Sequence, residues 1–267
     1  MLIFDNSRNQ FKIEVKMSIS RAQLEQYLNQ LLEVEEYDDL GPNGLQVEGK
    51  SKIDKIITGV SACVELFEKA IQQKADAIIV HHGIIWEFER PVYKGSYKKR
   101  VKMLLKNDIN LFGFHLPLDA HTELGNNAVL ADLFDMTNRR KFGSFKGNEV
   151  GLQGYINQDS DTVFSKIKKE INSNALIFPY GPDKIKRAGI ISGGADKNIK
   201  EAVSQGLDLF ITGEVSEHIK HYAHEEGIHF VAAGHHATEK YGIKALSDHL
   251  NDKYDVKVKF INIPNPV

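Results

Sequence analysis

The sequence has one cysteine, Cys63, in 267 residues. A single thiol closes no intramolecular disulfide and builds no cysteine-based zinc site, so the chain reads as a protein of a reducing compartment, the cytoplasm. No run approaches the roughly 18 apolar residues that span a bilayer. Net charge is also missing: 34 lysines and arginines against 36 aspartates and glutamates leave −2. That balance supplies no basic field, and nucleic acid is not an expected partner. No Gly-x-Ser-x-Gly elbow is present, which argues against a serine hydrolase. The glycine-rich stretch from Gly41 to Gly49 has neither the Lys-Ser/Thr of a P-loop nor a dinucleotide-binding spacing.

Residues 1–16 hold no continuous apolar stretch and do not read as a secretory signal. They read as an extension without assigned function before Met17, or as a segment with a short edge strand over 11–15. The remaining composition, 42% hydrophobic and 26% charged, is ordinary for a globular chain long enough for one large domain or two lobes.

Ser20 is placed to cap a helix carrying Leu24, Tyr27, Leu28, Leu31 and Leu32 on one stripe. Gly41-Pro42-Asn43-Gly44 is a turn signal. Strands are expected over 53–60, 76–80 and 109–114, with helices over 64–73, 95–107 and 126–134. This βαβ series predicts an α/β fold with mostly parallel sheets. The middle reads as a strand over 147–156, a helix over 162–171 and a strand-like piece over 175–179. The βαβ pattern then returns over 186–232, followed by a helix over 237–250 and a strand over 256–263. The two series overlay without a gap: Ala70 on Ala202, Gln73 on Gln205, Asp76 on Asp208, Ile79 on Ile211 and His82 on Glu214. Two similar lobes, 17–135 and 136–267, are therefore expected to face a central cleft.

Three clusters of metal-type side chains follow apolar runs that read as buried strands. They are His81-His82-Gly83, His115 to His121 with Asp119 between, and Gly234-His235-His236 with Glu239. In open α/β sheets the carboxyl ends of strands are where ligands bind. Imidazoles and carboxylates gathered there suit a hydrolytic transition metal.

Neighbours in a strand point to opposite faces, so His81 and His82 share one site only if the chain bends, which Gly83 permits. Otherwise one of them packs against the sheet. Asp119 can bridge two metals through its two oxygens, while His115 is expected to orient ligands by hydrogen bonding. His121 is expected to cap the next helix. His235 and Glu239 lie at i and i+4 where a helix begins, and so share a face. Glu214 ends a fourth strand and reads as a general base, as a group that supports the ligands by hydrogen bonding, or as a cap of the helix that follows. His218, His221 and His224 drift around a helix and read as a polar face.

Five segments together resemble the Nif-three-like family, whose members carry the label GTP cyclohydrolase 1 type 2 homologue. They are Gly41-Pro42-Asn43-Gly44-Leu45-Gln46-Val47, Val80-His81-His82-Gly83, His115-Leu116-Pro117-Leu118-Asp119, Thr212-Gly213-Glu214-Val215-Ser216-Glu217 and Gly234-His235-His236-Ala237-Thr238-Glu239-Lys240. The length is similar to the short form, without an inserted domain. The resemblance implies two α/β lobes in a single intertwined family domain over 17–267, and a toroidal homohexamer. It also implies two divalent metal ions per chain on His81, His82, Asp119, His235 and Glu239, with Zn, Fe, Mn and Ni all compatible. The implied activity is hydrolysis of a purine nucleotide: hydroxide supplied by the metals would attack C8 of guanine, Glu214 or a metal-bound water would move protons, and formate would leave. The alternatives are a non-catalytic metal chaperone or store, and a regulatory scaffold.

Overall fold

The computed structural model describes residues 19–267; the extension over 1–16 and the edge strand over 11–15 lie outside the described residues. β1 (Ile19–Ser20) leads into α1 (Arg21–Leu31). Ser20 Oγ accepts the Gln23 N–H while Gln23 Oε1 accepts the Ser20 N–H, a capping box that satisfies two otherwise orphaned donors. Leu24 and Leu28, one turn apart, are fully buried.

After β2 (Gly44–Val47) and β3 (Lys52–Ile53), the first βαβ series runs β4 (Lys55–Ser61), α2 (Val64–Gln72), β5 (Ala77–His82), α3 (Gly95–Asn107), β6 (Asn110–Gly113). Two short helices follow, α4 (Leu116–Ala120) and α5 (Asn126–Leu133), then the hairpin β7 (Thr137–Phe145) and β8 (Asn148–Asp159). α6 (Ser160–Lys166) runs on into a π turn over Ile167–Ile171. Next come β9 (Leu176–Pro179), β10 (Lys184–Ile190), α7 (Ile199–Ser204), β11 (Leu209–Thr212), α8 (Ile219–Glu226), β12 (His229–Ala232), α9 (His235–Lys253) and β13 (Lys257–Phe260).

Two sheets carry the fold. The first has the order β13-β4-β5-β6-β2, parallel except for β2. The second, β7-β8-β10-β11-β12-β9, is mixed: β10, β11 and β12 are parallel, and the pairings of β7 with β8, β8 with β10 and β9 with β12 are antiparallel. The central strands β5 and β11 are buried on both faces, which explains their unbroken apolar sequences.

The repeat is visible in hydrogen bonds. Asp76 Oδ2 accepts the backbone N–H groups of Asp54 and Lys55, both at 3.0 Å; Asp208 Oδ2 accepts those of Lys186 and Arg187, at 2.8 and 2.9 Å. Lys55 Nζ donates to Gln73 O and Arg187 Nη1 to Gln205 O, each at 2.6 Å. Each aspartate fastens the start of one parallel strand to its neighbour.

The chain does not divide cleanly at 135/136. β13 pairs with β4 in the first sheet, and Ile243, Leu246 and Leu250 of α9 bury into the first lobe's core with Leu24, Leu28 and Phe112. α9 also packs closely on α5: a Cβ on Gly242 would lie 2.8 Å from Asn126 N. The last helix thus carries its first turn into the cleft and its remainder into the opposite lobe.

Candidate metal centre

The carboxyl ends of β4, β5, β6, β10, β11 and β12 converge on the cleft. His81 and His82 close β5. The His81 ring is fully buried, and its Nδ1–H donates to Phe114 O at 2.9 Å. That bond occupies Nδ1 and leaves Nε2 as the ring nitrogen facing Asp119 and Glu239. His82 reaches the same cleft as the strand ends, with ring centroids 4.6 Å apart; its Nδ1 lies 3.1 Å from Ser61 Oγ.

Asp119 was expected in a loop, but it sits in α4. Pro117 falls in that helix's first turn, where its missing N–H breaks no intrahelical bond. Asn126 Nδ2 and Ser192 Oγ each donate to Asp119 Oδ1 at 2.8 Å. Oδ2 is left for the cleft, 3.5 Å from His81 Nε2. Asp119 Oδ1 is thereby held by two donors, and Oδ2 is the oxygen turned to His81.

Glu239 holds the shared position. It is buried in the first turns of α9; Oε1 lies 3.0 Å from His235 Nε2 and 3.4 Å from His81 Nε2, and Oε2 lies 3.2 Å from His82 Nε2. Gly193, at φ +69°, makes room for it, since a Cβ there would collide with Glu239 Oε1. Glu214 Oε1 accepts from His235 Nδ1 at 2.6 Å and so fixes the orientation of that ring. Glu214 also lines the adjoining cavity.

Electrostatics tie these groups together. Burial alone would raise the Glu239 carboxyl, but His82, His81 and the bond from His235 hold it well below the usual carboxylate range. Burial opposes charge on His81, yet Asp119 and Glu239 outweigh it and hold the ring at about 9. His235 likewise stands at about 9 through Glu239 and Glu214. His82 is lowered, by burial first and then by His81 and His115.

The residues fit a metal. His81 Nε2 and Glu239 Oε2 are buried and make no hydrogen bond. Native interiors seldom leave such atoms unpartnered without a bound ion or water. His81, Asp119 and Glu239 form one group with ligand atoms mutually within 4.8 Å, and His82, His235 and Glu239 form another. Mixed imidazole and carboxylate donors suit Zn, Fe, Mn or Ni.

The other histidines lie elsewhere. His121 Nδ1 accepts the N–H groups of Glu123 and Leu124 in a local turn. His236 turns away to Asn262 Oδ1. His221 pairs at 3.8 Å with exposed Glu217, and the His224 ring lies 4.5 Å from that of Tyr180. Sequence reasoning missed Asp39, Asn126 and Ser192. Ser192 follows β10 as Ser61 ends β4, so the strand-end logic would have found it; Asp39 gave no local signal.

A cavity of about 310 Å³ adjoins the centre, walled by Leu40, Leu116, Phe145, Val150 and Ile191 and floored by His115, Asp119, Glu214, His235 and Glu239. A second, of about 240 Å³, reaches His82 and His235 from the other side. Another hollow, of about 800 Å³ between α1 and the β7–β8 hairpin, contains none of the cluster.

The fold and site define a two-lobed α/β protein with a histidine–carboxylate centre in the cleft. The family model described as Duf34/NIF3 (NGG1p interacting factor 3) matches residues 19–266, and the chain belongs to that family. A Haemophilus influenzae protein named GTP cyclohydrolase 1 type 2 homolog is 48% identical over 252 residues, spanning 93% of this chain and 100% of that one. A solved structure of protein ybgI, described as of unknown function, superposes with a TM-score of 0.87 at 45% identity, covering 93% of this chain and 100% of that one. A structure from Thermus thermophilus gives 0.84 at 31% identity with the same coverage. Among the described residues no helix is long and apolar enough to cross a membrane.

Proposed function

We propose that the centre binds two divalent transition-metal ions, one at His81, Asp119 and Glu239 and one at His82, His235 and Glu239. On this reading the protein is a metal-dependent hydrolase of a purine nucleotide or related cyclic amidine. The observation that carries it is the pair of buried, unpartnered atoms in the cluster: His81 Nε2, beside Asp119 and Glu239, and Glu239 Oε2, beside His82. The name of the Haemophilus influenzae relative supports the substrate class.

Bound metals would supply Lewis acidity and activate water for attack at neutral pH. The chain's own residues do the rest. Phe114 O, Asn126, Ser192 and Glu214 fix the orientation of His81, Asp119 and His235, as hydrogen-bonded partners of metal ligands do. The apolar walls exclude water from a planar ring above the centre. Among the described residues no lysine or arginine lines the cavity, so the reading seats the heterocycle inside and the phosphates outside its mouth. Glu214 Oε1 is engaged by His235, leaving Oε2 to exchange protons at the cavity.

Metal-loaded protein should release formate from GTP, and His81→Ala and Glu239→Ala should abolish that release. Loaded protein that leaves GTP and other purine nucleotides intact contradicts the hydrolase reading. A metal chaperone is the second reading. It is favoured by the second cavity, which exposes His82 and His235 to exchange. Transfer of metal to an acceptor protein without turnover would decide for it. The ring-shaped homohexamer belongs to the same proposal and is tested by light scattering.

A further inference from the structure

Asp39 and His115 form a pair that the five-residue set leaves out. Asp39 lies in the loop before Gly41-Pro42-Asn43-Gly44, and its side chain is only 2% exposed. It accepts four hydrogen bonds: from Leu40 N at 2.6 Å, Asn43 Nδ2 at 2.9 Å, Leu116 N at 2.9 Å and His115 Nδ1 at 2.7 Å. Asn43 Oδ1 in turn accepts the His115 N–H at 2.8 Å. The backbone and the ring of His115 are thus both fastened by one loop. A buried carboxylate with both oxygens occupied keeps the imidazole proton on Nδ1 and leaves Nε2 as a lone-pair donor.

The ring stands beside the centre. The His115 ring centroid is 5.1 Å from that of His81 and 5.7 Å from that of His82, and one ligand atom from each of the three lies within 4.8 Å of the others. Trp86 closes the outer side, edge-on to His115 at 5.3 Å.

We propose that His115 is itself a metal ligand, completing with His81 and His82 a three-imidazole face for a divalent transition-metal ion, with Asp39 as its positioning carboxylate. The inference rests on the metal-centre reading above. A carboxylate–imidazole–metal relay is the usual way a ligating histidine is oriented and made more basic. Three nitrogen donors with a position left open toward the cavity select Zn, Fe or Ni over Mg or Ca. His81 offers only Nε2, because its Nδ1 is bonded to Phe114 O. The imidazole face and the group with Asp119 and Glu239 therefore compete for one atom. An ion on the face exchanges with the neighbouring group and does not add a permanent third site.

The test is Co(II) titration of the metal-free protein. It is read by visible d–d absorption and by the fluorescence of Trp86, the only tryptophan, whose ring lies 6.0 Å from that of His82. Wild type, His115→Ala, His115→Gln and Asp39→Asn are compared, with thermal melts of the metal-free forms as the folding control. The expected result is a weakening of at least one Co(II) step by about 10–100-fold in both His115 variants, with an altered d–d spectrum. In Asp39→Asn, which keeps size but removes charge, a smaller weakening of the same step by about tenfold is expected. A folded His115→Gln with wild-type affinity and spectrum overturns the inference while leaving the metal centre standing. Wild type that takes up no Co(II) overturns both.

Discussion

The Glu239 carboxylate stands one helical turn beyond His235 and meets its Nε2 at 3.0 Å. Spacing at i and i+4 puts both on the face of α9 that enters the cleft, while Ile243 and Leu246 carry the helix onward into the first lobe's core. The helix that anchors the fold is therefore also the one that delivers the shared carboxylate.

Glu239→Gln keeps the shape and removes the charge. Metal retention should fall sharply, because the glutamine offers one neutral oxygen in place of a carboxylate that serves both groups. Elemental analysis of the purified variant should find less than about half the wild-type metal.

The metal-free protein should lose stability as pH rises. His81 and His235 stand at about 9 in the fold, above an ordinary imidazole value of 6.5. A raised folded value means that the folded state binds the proton more tightly. The contribution is fully present below about 6.5 and is lost as pH climbs through about 9. Urea midpoints of metal-free protein should fall across this window, and the fall should be smaller in Glu239→Gln. An unchanged slope in the variant would contradict the pairing.

Asp76→Asn and Asp208→Asn should each cost about 1–3 kcal/mol, since each removes a charged acceptor from two backbone N–H groups at a strand start. Asp76 is held below the usual carboxylate range: burial opposes this, and Lys50 with the Asp54 and Lys55 amides outweighs it. Its contribution is present above the unfolded value of about 3.9 and is lost as pH falls through the lower folded value. Chemical denaturation at pH 7 and pH 3 should show the Asp76→Asn penalty shrinking at the acid end.

Gly193→Ala should damage the centre without touching a ligand. It forces a Cβ into a left-handed backbone position and against Glu239 Oε1. A loss of about 1–3 kcal/mol in the metal-free melt, together with lowered metal content, is expected.

Much of this architecture was legible because the central strands are unbroken apolar runs ending in ligand-type residues: Ala77 to Val80 before His81, and Phe230 to Ala232 before His235. The overlay of Asp76 on Asp208 was readable for the same reason, and the matched hydrogen bonds give it a physical cause. Other features carried no such signal. β7 begins Thr137-Asn138-Arg139-Arg140-Lys141, an edge strand whose start shows no alternation and which pairs with β8. α4 was masked by Pro117, which breaks helices inside but is tolerated in a first turn. Asp39 meets His115 from 76 residues away, through a loop whose path depends on tertiary packing.

Metal content per chain, measured on wild type and Asp119→Ala purified without added metal, tests the central claim most directly. The account predicts about two divalent ions in wild type and about one in the variant, because His82, His235 and Glu239 remain intact. Wild type without metal, even after reloading, would contradict it.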